Sequence, residues 1–348
     1  MSHLRAVKKP NQALVDTNGF FHFGTFNGPF EKINMLEAKE PLGRKYPKKI
    51  VNWRLKEWEA FQAGNKDYFI LGAIYNTKVL GINQLFIYDI KAGKTYNYQK
   101  ISSPRHQIIG QGLLNSESYY RSKNYSIFFY NSLENNEIRL VVDIKNYKGM
   151  PDCYLSLQMH HINEPIVICQ PFGENRALYS HKALMPMNGK MILDTKTVDF
   201  QVNESFSIID DHKGFYPRTV KYDWVTGWGL DQNKELFGFN LTDNQILDHD
   251  QYNENCLWYQ GKMIPLPAVH FEKYMENSQH VWHIKDSQGD VDVKFYPETK
   301  FDVKINALVV KADYEGPMGA FKGRVKSNQA SICLDDCFGM GEKKIYVL

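Results

Sequence analysis

Tyr125-Ser126-Ile127-Phe128-Phe129-Tyr130, a polar turn Glu134-Asn135-Asn136-Glu137, then Ile138-Arg139-Leu140-Val141-Val142-Asp143-Ile144: this stretch decides the fold class. Aromatic and β-branched residues fit a pleated, half-buried surface. Two such runs joined by a short polar turn predict neighbouring antiparallel strands. The pattern recurs on both sides. Residues 84–90 lead into the turn Lys91-Ala92-Gly93-Lys94. Residues 280–285 lead through Asp286-Ser287-Gln288-Gly289 into Val291-Asp292-Val293-Lys294-Phe295-Tyr296. In that last run the period of two puts Val291, Val293 and Phe295 on one face and the charges on the other. Helical periodicity is scarce, and its best candidate runs from Trp53 to Phe61. Many short strands with Gly, Asn and Asp turns predict an all-β chain of antiparallel meanders, closed as barrels or stacked as sandwiches. Closure also removes exposed strand edges.

A chain of 348 residues divides naturally into two domains of ordinary size. The turn-rich stretch Met185-Pro186-Met187-Asn188-Gly189-Lys190 marks the expected seam, giving domains 1–188 and 189–348. The formal net charge is only +3, with basic and acidic residues interspersed, so a nucleic-acid partner is not expected. The five cysteines are odd in number and show no framework spacing, which fits a reduced, cytoplasmic protein. The first ten residues lack the apolar stretch of a signal peptide. The longest apolar runs, such as 69–75, are far too short to span a bilayer.

Chemistry concentrates in the centre, in Asp210-Asp211-His212-Lys213-Gly214-Phe215-Tyr216-Pro217-Arg218-Thr219, followed by Trp224 and Trp228. Asp211 and His212 would face opposite ways on a strand and could converge in a turn before Gly214. A carboxyl in an aromatic pocket rises in pKa and can donate a proton at neutral pH. His212 could share or orient that proton, and Trp224 could steady positive charge by cation–π attraction. The alternative is a solvated turn whose Asp bonds its own backbone. Asn253-Glu254-Asn255-Cys256-Leu257-Trp258 offers a second carboxylate, Glu254, with Asn255 and Trp258 beside it, or else a plain strand end. Lys56 and Trp58, within Trp53-Arg54-Leu55-Lys56-Glu57-Trp58, could form the lip of a cavity or a surface where long stems cover aromatic area. Tyr216 and Arg218 complete the candidate ligand-binding set.

No metal and no cofactor are expected. His160 and His161 are adjacent and point apart on a strand, and Cys333 and Cys337 have no partner pair elsewhere. Gly339-Met340-Gly341-Glu342 resembles half of a phosphate loop, but no helix follows it.

Taken together, 54–58, 211–224, 237–241, 253–258, 291–297, 319–323 and 339–342 resemble the DUF2804 family, a bacterial family of unknown function, over nearly the whole chain. More distantly, Asp211-His212-Lys213-Gly214 looks like the Asp-His-Asn-Trp-Gly element of carotenoid hydratases and AttH-like proteins. That resemblance implies two calycin-type, lipocalin-like β domains with a ligand cavity in or between them. It also implies an acid that protonates an alkene, with aromatic rings around the cation. Here the Trp after Lys213 is missing, so the aromatic role would pass to Phe215, Tyr216 or Trp224.

Three readings follow. The first is an enzyme that hydrates, cyclises or isomerises an apolar small molecule, with Asp211 as acid, His212 as its partner, Trp224 as a cation-stabilising wall and Glu254 as a second carboxylate. The second is a non-catalytic binder of a lipid or similar hydrophobic ligand. The third is a carbohydrate-active enzyme with Asp211 and Glu254 as its carboxylate pair.

Overall fold

The computed structural model describes residues 5–306 and 311–347. Among them, 15 strands form one antiparallel-dominated sheet and 12 form a second. The hairpin that opened the sequence reading is present: Tyr125–Ser132 pairs with Glu137–Ile144, from Ser132 opposite Glu137 to Tyr125 opposite Ile144. Its turn is a short 3-10 segment that ends on Asn136 in the left-handed region, at φ 58°. Tyr125, Ile127 and Phe129 are buried, as are Ile138, Leu140, Val142 and Ile144 facing them.

The first sheet runs from Lys94–Ser102 at one end through Lys56–Gly64, Phe206–Gly214 and Arg176–Leu193 to the Tyr125–Ser132 hairpin near the other. It curls until its ends meet. The Tyr125 hydroxyl donates to the Tyr98 carbonyl at 2.8 Å, although those strands lie far apart in sheet order. Phe61, Ile70, Leu85, Tyr98, Phe129 and Leu140 fill the interior. The second sheet curls likewise around Val225, Phe239, Trp282, Val293, Phe295 and Phe321. The protein is thus all-β, with two curled, lipocalin-like half-barrels.

The two barrels pack by their outer walls. Phe69 stacks on Trp228 at 5.1 Å and Tyr88 lies 6.1 Å from Phe338. Leu184 and Ile208 of the first wall meet Met318, Met340 and Trp258 of the second. A strand in the middle of such a wall is covered on both faces, which erases the alternation that marks a half-buried strand. This explains where the sequence reading departs from the structure. The helix expected over 53–61 is instead Lys48–Arg54, which reaches only the first two of those residues, and Lys56–Gly64 is a strand inside the first sheet. Phe206–Gly214, read as approaching a turn, is a central strand with all nine residues buried. The expected seam at 188 and 189 lies inside the 18-residue strand Arg176–Leu193. The chain passes from the first sheet to the second at 215–218.

Candidate active site

A cavity lies where the two outer walls face each other. The first wall contributes Trp58, Tyr75, Lys182, Asp210 and His212, and the second Tyr222, Trp224, Glu254, Glu342 and Lys344. Tyr216, in the crossing between the sheets, also lines it.

Strand geometry selects these side chains. On Phe206–Gly214, positions two apart share a face. Asp210 and His212 therefore point into the cavity, and Asp211 and Lys213 point into the first barrel. The neighbouring strand is in register, with Ser180 opposite His212 and Lys182 opposite Asp210. Lys182, Asp210 and His212 form one polar patch on the cavity wall, with Ser180 buried beside them.

At its centre is His212. The Tyr216 hydroxyl and His212 Nε2 lie 2.6 Å apart. Ionised Asp210, whose Oδ1 is 3.7 Å from Nδ1, can only accept, which assigns the single N–H of the neutral imidazole to Nδ1 and leaves Nε2 to accept from Tyr216. Trp58 lies flat on the imidazole, with ring centroids 4.0 Å apart and planes 19° apart. Gly214 makes the Tyr216 bond possible: a Cβ there would sit 2.7 Å from the Tyr216 ring. Burial lowers the His212 pKa despite the neighbouring carboxylate, so the ring is neutral near pH 7.

Behind His212 lies a buried ion cluster. Lys182 Nζ donates to Ser180 Oγ at 2.8 Å and to Glu254, and lies 3.4 Å from Asp210 Oδ1. Ser180 Oγ donates to Asp210 at 3.1 Å. Burial alone would raise Asp210, but Lys182, His212 and Ser180 outweigh it and hold the carboxylate far below its usual range. Burial opposes the Lys182 charge, and Asp210 and Glu254 together raise its pKa. A further link steadies the second wall: Trp224 Nε1 donates to Asn240 Oδ1 at 2.6 Å, and Asn240 Nδ2 donates to the Glu254 carbonyl at 2.8 Å.

Of the residues singled out in the sequence, His212, Glu254, Tyr216, Trp224 and Trp58 meet in this cavity. The others lie elsewhere. Asp211 is bonded to Lys213 at 2.5 Å inside the first barrel, next to Glu59 in the strand register. Asn255 fixes backbone, accepting from the Thr242 N–H at 2.7 Å and donating to the Pro267 carbonyl at 2.8 Å. Trp258 is wholly buried core. Lys56 caps the carbonyls of Trp53 at 3.0 Å and Thr77 at 2.6 Å. Arg218 is exposed in the crossing.

The sequence reading missed Asp210, Lys182, Tyr75, Tyr222, Glu342 and Lys344. Asp210 was recoverable, because period two pairs His212 with Asp210 and not with Asp211. Lys182 and the tyrosines carry no local signal. Among the described residues, no group of three His, Cys, Asp or Glu side chains is arranged to hold a metal ion. No helix there is long and apolar enough to cross a membrane.

The family described as "Domain of unknown function (DUF2804)" matches residues 5–346. No protein of curated function matches the sequence. Among solved structures, CghA with Sch210972 is similar at a TM-score of 0.52 and 10% identity, over 84% of this chain and 88% of that chain. Kievitone hydratase from Nectria haematococca is similar at a TM-score of 0.50 and 11% identity, over 84% and 88%. A putative AttH from Nitrosomonas europaea has a TM-score of 0.49 and 11% identity, over 87% and 96%. At such identities the first two likenesses establish the two-barrel fold and nothing about the reaction.

Proposed function

The chain belongs to the DUF2804 family, and we propose that it is a proton-transfer enzyme acting on an apolar or amphipathic small molecule by isomerisation, hydration or cyclisation. One observation carries this reading: the Tyr216–His212–Asp210 chain opens into an aromatic cavity. The Tyr216 oxygen takes a proton from an acidic substrate carbon as its own proton passes to His212 Nε2. Asp210 stabilises the imidazolium so formed, as a carboxylate does behind a catalytic histidine. Return of the proton to another carbon completes an isomerisation. Alternatively the Tyr216 hydroxyl gives its own proton to an alkene carbon, water or an internal nucleophile adds to the cation, and the proton that the nucleophile loses returns to Tyr216, which gives hydration or cyclisation. The walls of Trp58, Tyr75 and Trp224 would stabilise such a cation.

The acid of this reading is not Asp211, which faces the barrel interior. Asp210 cannot replace it as a proton donor, because it stays ionised. The glycosidase reading loses support, since its pair does not meet: Asp211 is bonded to Lys213 inside the first barrel, while Glu254 lines the cavity and is engaged by Lys182. A passive carrier would have no use for a histidine held between a phenol and a carboxylate.

The test is solvent labelling. Purified protein is incubated in D2O with a panel of alkenyl and enolisable amphiphiles, and products are read by mass spectrometry and NMR. The reading expects carbon-bound deuterium in at least one ligand, lost in Tyr216→Phe. If ligands bind in the cavity and none acquires deuterium or added water, the enzyme reading falls and the passive binder replaces it.

A further inference from the structure

The cavity has a second polar wall that the proton chain does not use. Strand Cys337–Val347 pairs with Thr219–Leu230, so that Met340 lies opposite Thr226, Glu342 opposite Trp224 and Lys344 opposite Tyr222. Met340, Glu342 and Lys344 line the cavity. Gly341 faces the other way, where a Cβ would come within 2.6 Å of the Trp282 ring and 2.8 Å of Phe295. The Gly-Met-Gly-Glu stretch therefore keeps one face bare for close packing while the other presents Glu342 and Lys344 to the ligand. It is not a phosphate loop.

Lys344 lies over four aromatic faces, 5.6 Å from Trp58 and Tyr222, 5.8 Å from Tyr314 and 6.0 Å from Tyr75. Glu342 accepts the Tyr222 hydroxyl at 2.6 Å. Burial, with Glu342 adding to it, raises the pKa of Tyr75, Tyr222 and Tyr314, so all three remain neutral phenols. Neutral phenols and an ammonium are hydrogen-bond donors.

Charge divides the cavity. At its buried end one cation, Lys182, faces two carboxylates, Asp210 and Glu254. Towards solvent the order reverses: two cations, the exposed Lys221 and the half-buried Lys344, face one carboxylate, Glu342. The deep end is suited to positive charge and the mouth to negative charge. Fixed charges in a cleft with low-dielectric walls orient whatever enters.

From this geometry we infer that the ligand is a flat, conjugated or aromatic molecule bearing one acidic oxygen, a carboxylate, enol or phenol. It lies with that oxygen at Lys344 and its apolar end at His212. The inference rests on the cavity being the ligand site and adds the class and orientation of the ligand. An ammonium offers three N–H donors, so Lys344 can serve an anion while it remains over the rings.

The test uses the full chain and a matched pair of probes: a conjugated tetraene fatty acid and its methyl ester, bound near neutral pH and read by tryptophan quenching. The wild type is expected to bind the acid about 10-fold tighter, the scale of a hydrogen bond to a charged group. Lys344→Gln is expected to abolish that preference by weakening the acid alone, and Lys344→Arg to keep it. Equal binding of acid and ester by the wild type overturns the inference and leaves the cavity reading standing. So does a preference that survives Lys344→Gln but vanishes in Lys182→Met, which would put the acid at the deep end. If neither probe is quenched and Trp58→Ala changes nothing, the cavity reading itself falls.

Discussion

The hydroxyl of Tyr216, in the crossing between the sheets, is hydrogen-bonded to His212 Nε2, on the last central strand before it, across 2.6 Å. The bond is short in sequence and wholly buried, and it is what converts a core histidine into a member of the cavity wall. Tyr216→Phe removes the phenol and keeps the ring. General acid–base groups contribute about 10²–10⁴-fold to rate, so turnover should fall at least about 100-fold. Stability should drop by only about 1 kcal/mol, the net value of one hydrogen bond. Paired turnover and urea-denaturation measurements check both halves; an unchanged rate would remove Tyr216 from the reaction.

Adjacent aspartates should behave differently. Asp210→Asn removes the carboxylate behind His212 and should abolish turnover in a protein that still folds. Asp211→Asn leaves the Lys213 charge buried without its partner, which costs about 3–5 kcal/mol when a buried pair is broken. That variant should be less stable yet bind ligand normally per folded molecule. The opposite pattern, a stable and inactive Asp211→Asn, would restore the assignment expected from sequence.

Glu59 makes a pH prediction. Burial, with the Asp211 charge adding to it, pushes its carboxyl up to about 8 from an ordinary 4.5. The folded state therefore keeps a proton that the unfolded chain loses above about pH 4.5. Unfolded chains then bind fewer protons than folded ones, so this group's contribution is full below about 4.5 and is lost as pH rises through about 8. The thermal midpoint of wild-type protein should decline over that interval more steeply than that of Glu59→Gln. Parallel curves for the two proteins would show that Glu59 is ionised in the folded state.

Gly214→Ala tests the geometry without touching a polar group. The new methyl would press on the Tyr216 ring, 2.7 Å away, and move its hydroxyl off His212. The strand itself accepts alanine. A loss of turnover with little loss of stability is expected, together with a rise in the His212 pKa seen by NMR titration, because a nitrogen freed from its donor is easier to protonate. A silent substitution would mean the ring shifts without cost.

The hairpin at 125–144 was legible because one face is wet and the other dry, so alternation printed the register into the residues. The all-β class and the two barrels follow from many such segments. Phe206–Gly214 was not legible in the same way. Both its faces are buried, one by a barrel core and one by the opposing barrel, and polar residues sit on each. Asp211 and Asp210 are then equivalent by composition, and only the pairing partner Lys182, about thirty residues upstream, separates them. The expected seam at 188 and 189 failed for a related reason: Pro186 and Gly189 sit in a strand long enough to serve the sheet with either half. Lys344 and the tyrosines around it come together only through the packing of two sheets, and nothing local announces that.

The four-residue crossing at 215–218 carries Tyr216, whose carbonyl is gripped by Arg54 at 3.2 Å and by Arg176. The hinge pin of the molecule is therefore also one of its chemical parts. Neither half of the chain owns a complete site: Lys182, Asp210 and His212 precede the pin, and Trp224, Glu254, Glu342 and Lys344 follow it. The arrangement behaves as a coincidence gate. A polypeptide that has folded only its first barrel presents Lys182, Asp210 and His212 on an uncovered wall without Glu254, and the site is complete only with the second barrel docked.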